Sequence, residues 1–164
     1  MTRHTRVLRI ALCLALACGL LPARAAGKVE VKFVDPARFS DIGLSTADRD
    51  RVMRSLGDYL QSLGQRLPEG QSLRLDVLDI DLAGQLWPRR DGQEVRIVRD
   101  RADWPRMKIR YTLMAGGQTL KSGEDDLSDM DYRFGLRGYD LPDADLPYEK
   151  RMVREWFQKT FGTQ

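Results

Sequence analysis

Residues 106–127 have the sequence RMKIRYTLMAGGQTLKSGEDDL, which predicts two antiparallel strands joined by a tight turn. In residues 106–113, basic or polar side chains alternate with apolar ones, which is typical of a strand with one buried face. Gly116 and Gly117 favour a short hairpin turn at this point, and residues 119–127 form the returning strand. The sequence therefore predicts a β-hairpin within one mostly antiparallel sheet.

The elements on either side of the hairpin complete an α+β fold. Strands are predicted over residues 29–33, 73–82 and 95–98, a helix over about 46–66, and a last helix from about 145–147 to Gly162. Both helices have apolar residues at steps of three and four, which gives each helix one apolar stripe. The order β-α-β-β-β-β-α therefore predicts one mostly antiparallel sheet of about five strands, with two helices packed on it.

The second strand does not alternate regularly. Leu73, Leu75 and Val77 share one face, and the apolar residues that follow, beginning with Leu78 and Ile80, share the other. A shift of one residue moves a side chain to the opposite face of a sheet. The sequence therefore predicts either a bulge near Val77–Leu78 or a strand that is buried on both faces.

The first 26 residues have the pattern of a secretory signal peptide. Arg3, Arg6 and Arg9 precede the uncharged residues 10–21, and the small residues of Ala23-Arg24-Ala25 follow. Twelve residues extend only about 18 Å as a helix, which is too short for the ~30 Å core of a membrane. We expect cleavage after Ala25 or Ala26 and a single periplasmic domain over residues 27–164, with a long loop at residues 128–144 and no transmembrane segment.

An alternative is a lipid anchor at Cys18. The preceding residues, Leu14-Ala15-Leu16-Ala17, place Ala15 where a lipoprotein signal has a large aliphatic residue. A cysteine within an apolar run also behaves as a small apolar residue. The alternative is thus a lipid-anchored accessory protein of the bacterial envelope.

Removing the predicted signal peptide changes the composition. The whole chain has a pI near 9.0, but residues 27–164 contain 23 basic and 24 acidic side chains and neither Cys nor His. This composition excludes thiol nucleophiles, histidine acid–base catalysis and Cys/His zinc sites. We expect no nucleic-acid partner, no metal site and no cofactor.

Asp79 and Asp81 are two residues apart on one predicted strand, so both carboxylates emerge on the same face. Such a pair can bind a cation through oxygen or act as an acid and a base. It can equally accept backbone N–H groups in the following turn or pair with a nearby arginine. The sequence leaves these alternatives open.

Opposite charges are segregated along the chain. Residues 89–110 have a net charge of +4, whereas residues 124–149 have a net charge of −7. We expect these segments to face each other across the sheet or the loop, where cross-strand pairs each contribute about 0.2–1 kcal/mol. The alternative is a dipolar surface that orients a charged partner.

The candidate binding site combines residues from several segments: Asp79, Asp81, Arg96, Trp104, Tyr132 and Arg133. No catalytic set is evident, so we expect a periplasmic binding or protein-interaction module whose partner is an envelope protein or a small ligand. The alternative is an enzyme based on carboxylates, either glycan-active or metal-assisted, which requires two carboxyl groups about 5–9 Å apart in a cleft.

Several short motifs resemble a bacterial secreted family catalogued as domain of unknown function 3016. They are VKFVDP at residues 31–36, FSD at 39–41, LPEGQ at 67–71, DIDLAG at 79–84, YEKRM at 148–152 and WF at 156–157. The resemblance covers nearly all of residues 27–164. It implies a proteobacterial envelope protein, and it implies no activity because the family has none assigned.

Overall fold

The computed structural model describes residues 27–90, 94–98, 102–132, 134 and 145–162. Its elements are β1 (Lys28–Phe33), α1 (Thr46–Ser62), β2 (Gln71–Asp81), β3 (Gln85–Pro88), β4 (Glu94–Ile97), β5 (Arg106–Ala115), β6 (Gln118–Ser128) and α2 (Pro147–Phe161). Short 3₁₀ turns lie at Pro36–Arg38 and Leu63–Arg66. Most of the predicted loop 128–144, including Arg133, lies outside the described residues.

Four strands form the main sheet in the order β1-β2-β5-β6. β1 runs parallel to β2, and the other neighbours are antiparallel. The prediction of an α+β fold with two helices and a mostly antiparallel sheet is confirmed. The prediction of one sheet of about five strands is wrong, because β3 and β4 pair separately as a second sheet. β3 was not predicted, since four residues ending in Trp87-Pro88 give no periodic pattern.

The parallel pair β1 and β2 requires a crossover connection, which α1 supplies. The Ser45 hydroxyl accepts the Asp48 N–H at 3.0 Å and caps the helix. Val52, Leu56 and Leu60 are buried along its apolar stripe. The predicted helix over 46–66 corresponds to α1 followed by the 3₁₀ turn that ends at Arg66.

A β-bulge interrupts β2 at Leu78. Val77 pairs with Ile109, but the next pair is Asp79 with Lys108, so Leu78 has no partner on β5. The extra residue lets both Val77 and Ile80 face the core, where each is fully buried. Of the two alternatives for this strand, the bulge is confirmed.

One face of the main sheet forms the core with both helices. From α2, the side chains of Met152, Val153 and Phe157 are buried in the same cluster as those of α1 and the strands. Tyr111 of β5 meets Trp156 edge-on, with ring centroids 5.8 Å apart. The core therefore lies between the sheet and the two helices.

The opposite face of the sheet carries charged side chains. Lys108 and Arg110 of β5 stand opposite Asp126 and Glu124 of β6. Arg110 pairs with Glu124 at 2.8 Å, and Lys108 lies 3.2 Å from the same carboxylate. The prediction that the basic and acidic segments face each other across the sheet is confirmed for this hairpin.

Candidate functional site

Asp79 is held by the segment that follows β1. Its two carboxylate oxygens accept the backbone N–H and the hydroxyl of Ser40, both at 2.7 Å. The pairing register places Asp79 and Asp81 opposite Lys108 and Arg106. Both carboxylates therefore emerge on the same face, as predicted, and this is the charged face of the sheet. Asp79 thereby fixes the chain between β1 and α1 against β2.

Asp81 and Trp104 are connected through one arginine. Arg106 donates to the Asp81 carboxylate at 3.0 Å, and its guanidinium lies 4.5 Å from the centroid of the Trp104 ring. Asp79 and Trp104 line the same depression on the charged face. The structure therefore brings these three predicted residues to one end of the sheet.

Arg96 lies elsewhere, on β4. It makes a bidentate pair with Asp41, with N–O distances of 2.9 and 2.8 Å, and it donates to the Gly84 carbonyl at 3.0 Å. Asp41 itself is bound to β2, because its N–H donates to the Ile80 carbonyl at 2.9 Å. Arg96 thus ties the small β3–β4 sheet to the main sheet and is not part of the depression at Trp104.

Tyr132 is buried, and its hydroxyl donates to the Asp103 carboxylate at 2.7 Å. Its ring packs edge-on against Tyr148, with centroids 5.0 Å apart. These contacts attach the chain after β6 to the start of α2 and to the segment before β5. Whether any of the six predicted residues binds a ligand stays a prediction.

Two grooves that the sequence did not indicate flank the end of β6. The first is the depression at Trp104 described above, here called the outer groove, and its volume is about 400 Å³. It is lined by Asp79, Trp104, Arg106, Met107, Lys108, Asp126, Leu127, Ser128 and Met130. The second, the edge groove, has about 560 Å³ and is lined by Asp125, Asp126, Leu127, Ser128, Asp129, Met152, Glu155, Trp156, Lys159 and Thr160. Residues 126–128 line both, so the last part of β6 separates the two grooves.

β6 is an edge strand. It is last in the order of the main sheet, and within the described ranges no strand pairs with its second side. Because backbone N–H and C=O groups of a strand point alternately to its two sides, part of the β6 backbone faces away from β5. We call residues 125–128, together with the two grooves, the edge site.

The charge of the edge site is predominantly acidic. Asp126 is 82 % exposed and Glu155 is 51 % exposed. Asp125 accepts the indole N–H of Trp156 at 2.8 Å, which fixes that ring beside the strand. Asp129 binds the buried guanidinium of Arg151, whose Nε lies 3.0 Å away. Asp125 and Asp129 are thus bound closely within the protein, whereas Asp126 and Glu155 make only long ion pairs, each 3.9 Å, with Lys108 and Arg151 and remain largely exposed.

Three charged residues at the start of α2 are almost fully buried: Glu149, Lys150 and Arg151. Glu149 accepts the Ala83 N–H at 2.8 Å, which connects α2 to the turn after β2. Burial raises the pKa of this carboxyl above its usual value of 4.5. Sequence periodicity did not indicate their burial, because charged residues in a first helical turn are normally exposed.

In the part of the chain that the structure describes, no group of three or more His, Cys, Asp or Glu side chains is placed to hold a metal ion. None of the helices described is long and apolar enough to cross a membrane.

A family model described as "Protein of unknown function (DUF3016)" matches residues 27–159. The chain belongs to this family. The match confirms the resemblance seen in the sequence, and it includes most of α2 and all of the edge site except Thr160. No curated protein and no solved structure matches the chain. The family description assigns no activity, so function must be inferred from the geometry.

Proposed function

We propose that this protein is an exported protein-interaction module of the bacterial periplasm and that it binds its partner at the edge site. The observation that carries the proposal is the side of β6 with which no other strand of the described residues pairs, flanked by two grooves. Interfaces are enriched in aromatic residues, Met and Arg. Trp104, Trp156, Arg106 and the 63 % exposed Met130 are such residues, and all line these grooves or their rims.

Both acids of the predicted site, Asp79 and Asp81, are bound to other residues of the protein, which supports a binding function over catalysis. Asp79 is occupied by Ser40, and Asp81 by Arg106. A general acid or nucleophile must reach the substrate directly, so Asp79, both of whose carboxylate oxygens are bound, would first have to leave Ser40. The sequence of residues 27–164 also supplies neither His nor Cys for acid–base or nucleophilic catalysis.

Capture of the partner tests the proposal. The tagged protein would be cross-linked in intact cells, purified from the envelope and analysed by mass spectrometry. We expect a protein partner with the wild type and with Asp58→Lys, which places the same charge change on the exposed side of α1. Asp126→Lys should reduce capture at least about fivefold, since charge reversal at a protein contact costs affinity. Equal capture by both variants would contradict binding at the edge site.

Export has its own test. The pattern of residues 1–26 supports a cleaved signal peptide, and the family match begins at residue 27. We expect the protein in the periplasmic fraction, with an intact mass corresponding to a chain that begins at Ala26 or Gly27. A lipid-modified chain that begins at Cys18 in the membrane fraction would instead support the lipid-anchored alternative.

A further inference from the structure

The geometry points to the form in which the partner binds: an extended protein segment that adds a fifth strand beside β6 and alternates basic and apolar side chains. This inference rests on the proposed function and specifies the partner's chemistry. Addition of a strand to an open sheet edge is a general mode of peptide recognition, in which backbone hydrogen bonds give affinity and pockets for alternate side chains give specificity.

The two grooves match the side-chain pattern of an added strand. Successive side chains of a strand point to opposite faces of the sheet. Asp126 pairs with Lys108 on the charged face, next to the outer groove, whereas Leu127 pairs with Met107 on the core face, next to α2. A strand paired with residues 125–128 would therefore direct alternate side chains into the outer groove and the edge groove.

The charges of the grooves define the segment that fits. The edge groove is the acidic one: Asp126 and Glu155 line it, are exposed and make only long ion pairs of 3.9 Å, so it favours Lys or Arg on the partner. The outer groove contains Arg106 and Lys108 as well as its two acids, so its charges are balanced. The Trp104 ring and the Met130 thioether offer apolar contact area in the outer groove. A segment that combines basic and apolar residues complements both properties.

A second copy of this chain fits the edge less well. Pairing of two β6 strands would bring the acidic run of residues 124–126 near its symmetry mate, and like charges on adjacent strands are unfavourable. The other edge of the sheet is less accessible. A Cβ added to Gly64 in the second 3₁₀ turn would lie 3.2 Å from the backbone nitrogen of Val29 on β1. The 3₁₀ turn thus covers the start of the β1 edge, whereas the β6 edge is flanked by the two grooves.

Synthetic peptides test strand addition on the purified exported protein. The probe is a peptide of about seven residues that alternates lysine and valine, the length of an ordinary strand. The first control has the same sequence with alternate backbone nitrogens methylated, which removes strand hydrogen bonds and keeps the charge. The second control replaces lysine with glutamate. Affinity is measured by calorimetry, and the contact region by amide hydrogen exchange.

We expect the lysine–valine peptide to slow amide exchange within residues 124–128 several-fold, with both controls binding at least about tenfold more weakly. Asp126→Lys should weaken the peptide, and Asp58→Lys should not. Equal binding of the methylated peptide would overturn strand addition in favour of simple charge attraction. A concentration-dependent dimer that protects β6 would overturn the inference in favour of a second copy. Failure of all peptides overturns the inference and leaves the proposed function standing, because the capture experiment tests that function separately.

Discussion

Individual polar residues connect the elements of this fold. Asp79 holds Ser40, Arg96 holds Asp41, and Glu149 holds the Ala83 N–H, so each contact joins segments distant in the sequence. These residue types were visible in the sequence, but their partners were not, because pairing of side chains depends on the arrangement of the strands. Asp79 and Asp81 were thus recognised as a pair on one face, and their roles required the structure.

The buried Glu149 carboxyl should make the free energy of unfolding depend on pH. Because burial raises the pKa of the folded carboxyl above 4.5, the folded state retains its proton to higher pH than the unfolded chain does. Proton binding by Glu149 therefore stabilises the folded state. This stabilisation is fully present below the pKa of the unfolded chain and is lost as the pH rises through the pKa of the folded carboxyl. Glu149→Gln keeps an oxygen for the Ala83 N–H and removes the titration.

The measurement is thermal unfolding of the wild type and Glu149→Gln between about pH 4 and pH 8. We expect the difference in Tm, variant minus wild type, to increase with pH. Glu149→Ala should be less stable than Glu149→Gln throughout, because a buried N–H without an acceptor costs about 1–3 kcal/mol. A Tm difference that is constant across this range would contradict the assignment.

Removing the Arg96 side chain should destabilise the protein where the small β3–β4 sheet joins the main sheet. Arg96→Ala leaves the half-buried Asp41 carboxylate without its bidentate partner, and we expect the free energy of unfolding to fall by about 1–3 kcal/mol. Arg96→Lys should recover only part of this loss, because an ammonium cannot reproduce the planar two-point contact. Arg54→Ala, at an exposed position on α1, is the control in urea unfolding. Equal effects of Arg96→Ala and Arg54→Ala would refute the role.

At the scale of elements, regular patterns predicted structure well and short irregular ones did not. The alternation in residues 106–113 predicted β5, and the loss of alternation near Val77 predicted the bulge. β3 has four residues and ends in proline, so neither length nor period distinguished it from a loop. The separate β3–β4 sheet was missed for the same reason. The first turn of α2 was predicted, although the burial of its charges was not.

Alanine substitutions at two glycines near β1 should have opposite effects on stability. A Cβ at Gly57 in α1 would lie 3.5 Å from the Phe33 ring, in ordinary contact. Gly57→Ala should therefore stabilise the protein by about 0.5–1 kcal/mol, as expected for a helix interior. At Gly64 the same Cβ would lie 2.7 Å from the Gly27 carbonyl oxygen, so Gly64→Ala should destabilise it. Urea unfolding checks both, and a common sign would contradict the packing described here.

At the scale of the whole molecule, the distribution of charge was predictable and the binding surface was not. The sequence identified the acidic and basic segments, and the β5–β6 register shows them paired across the charged face. The edge site was missed because the sequence indicates strands without their spatial order. Only the order β1-β2-β5-β6 identifies β6 as an edge strand of the described sheet, and only the packing of α2 forms the groove beside it.

The most direct test of the proposed function is site-specific photo-crosslinking in living cells. A photoreactive amino acid would replace Asp126 at the edge site or, as a control, Asp58 on α1. The proposal predicts a discrete cross-linked protein species from position 126 that is absent from position 58. The same products from both positions, or none from position 126, would contradict binding of a protein partner at the edge of β6.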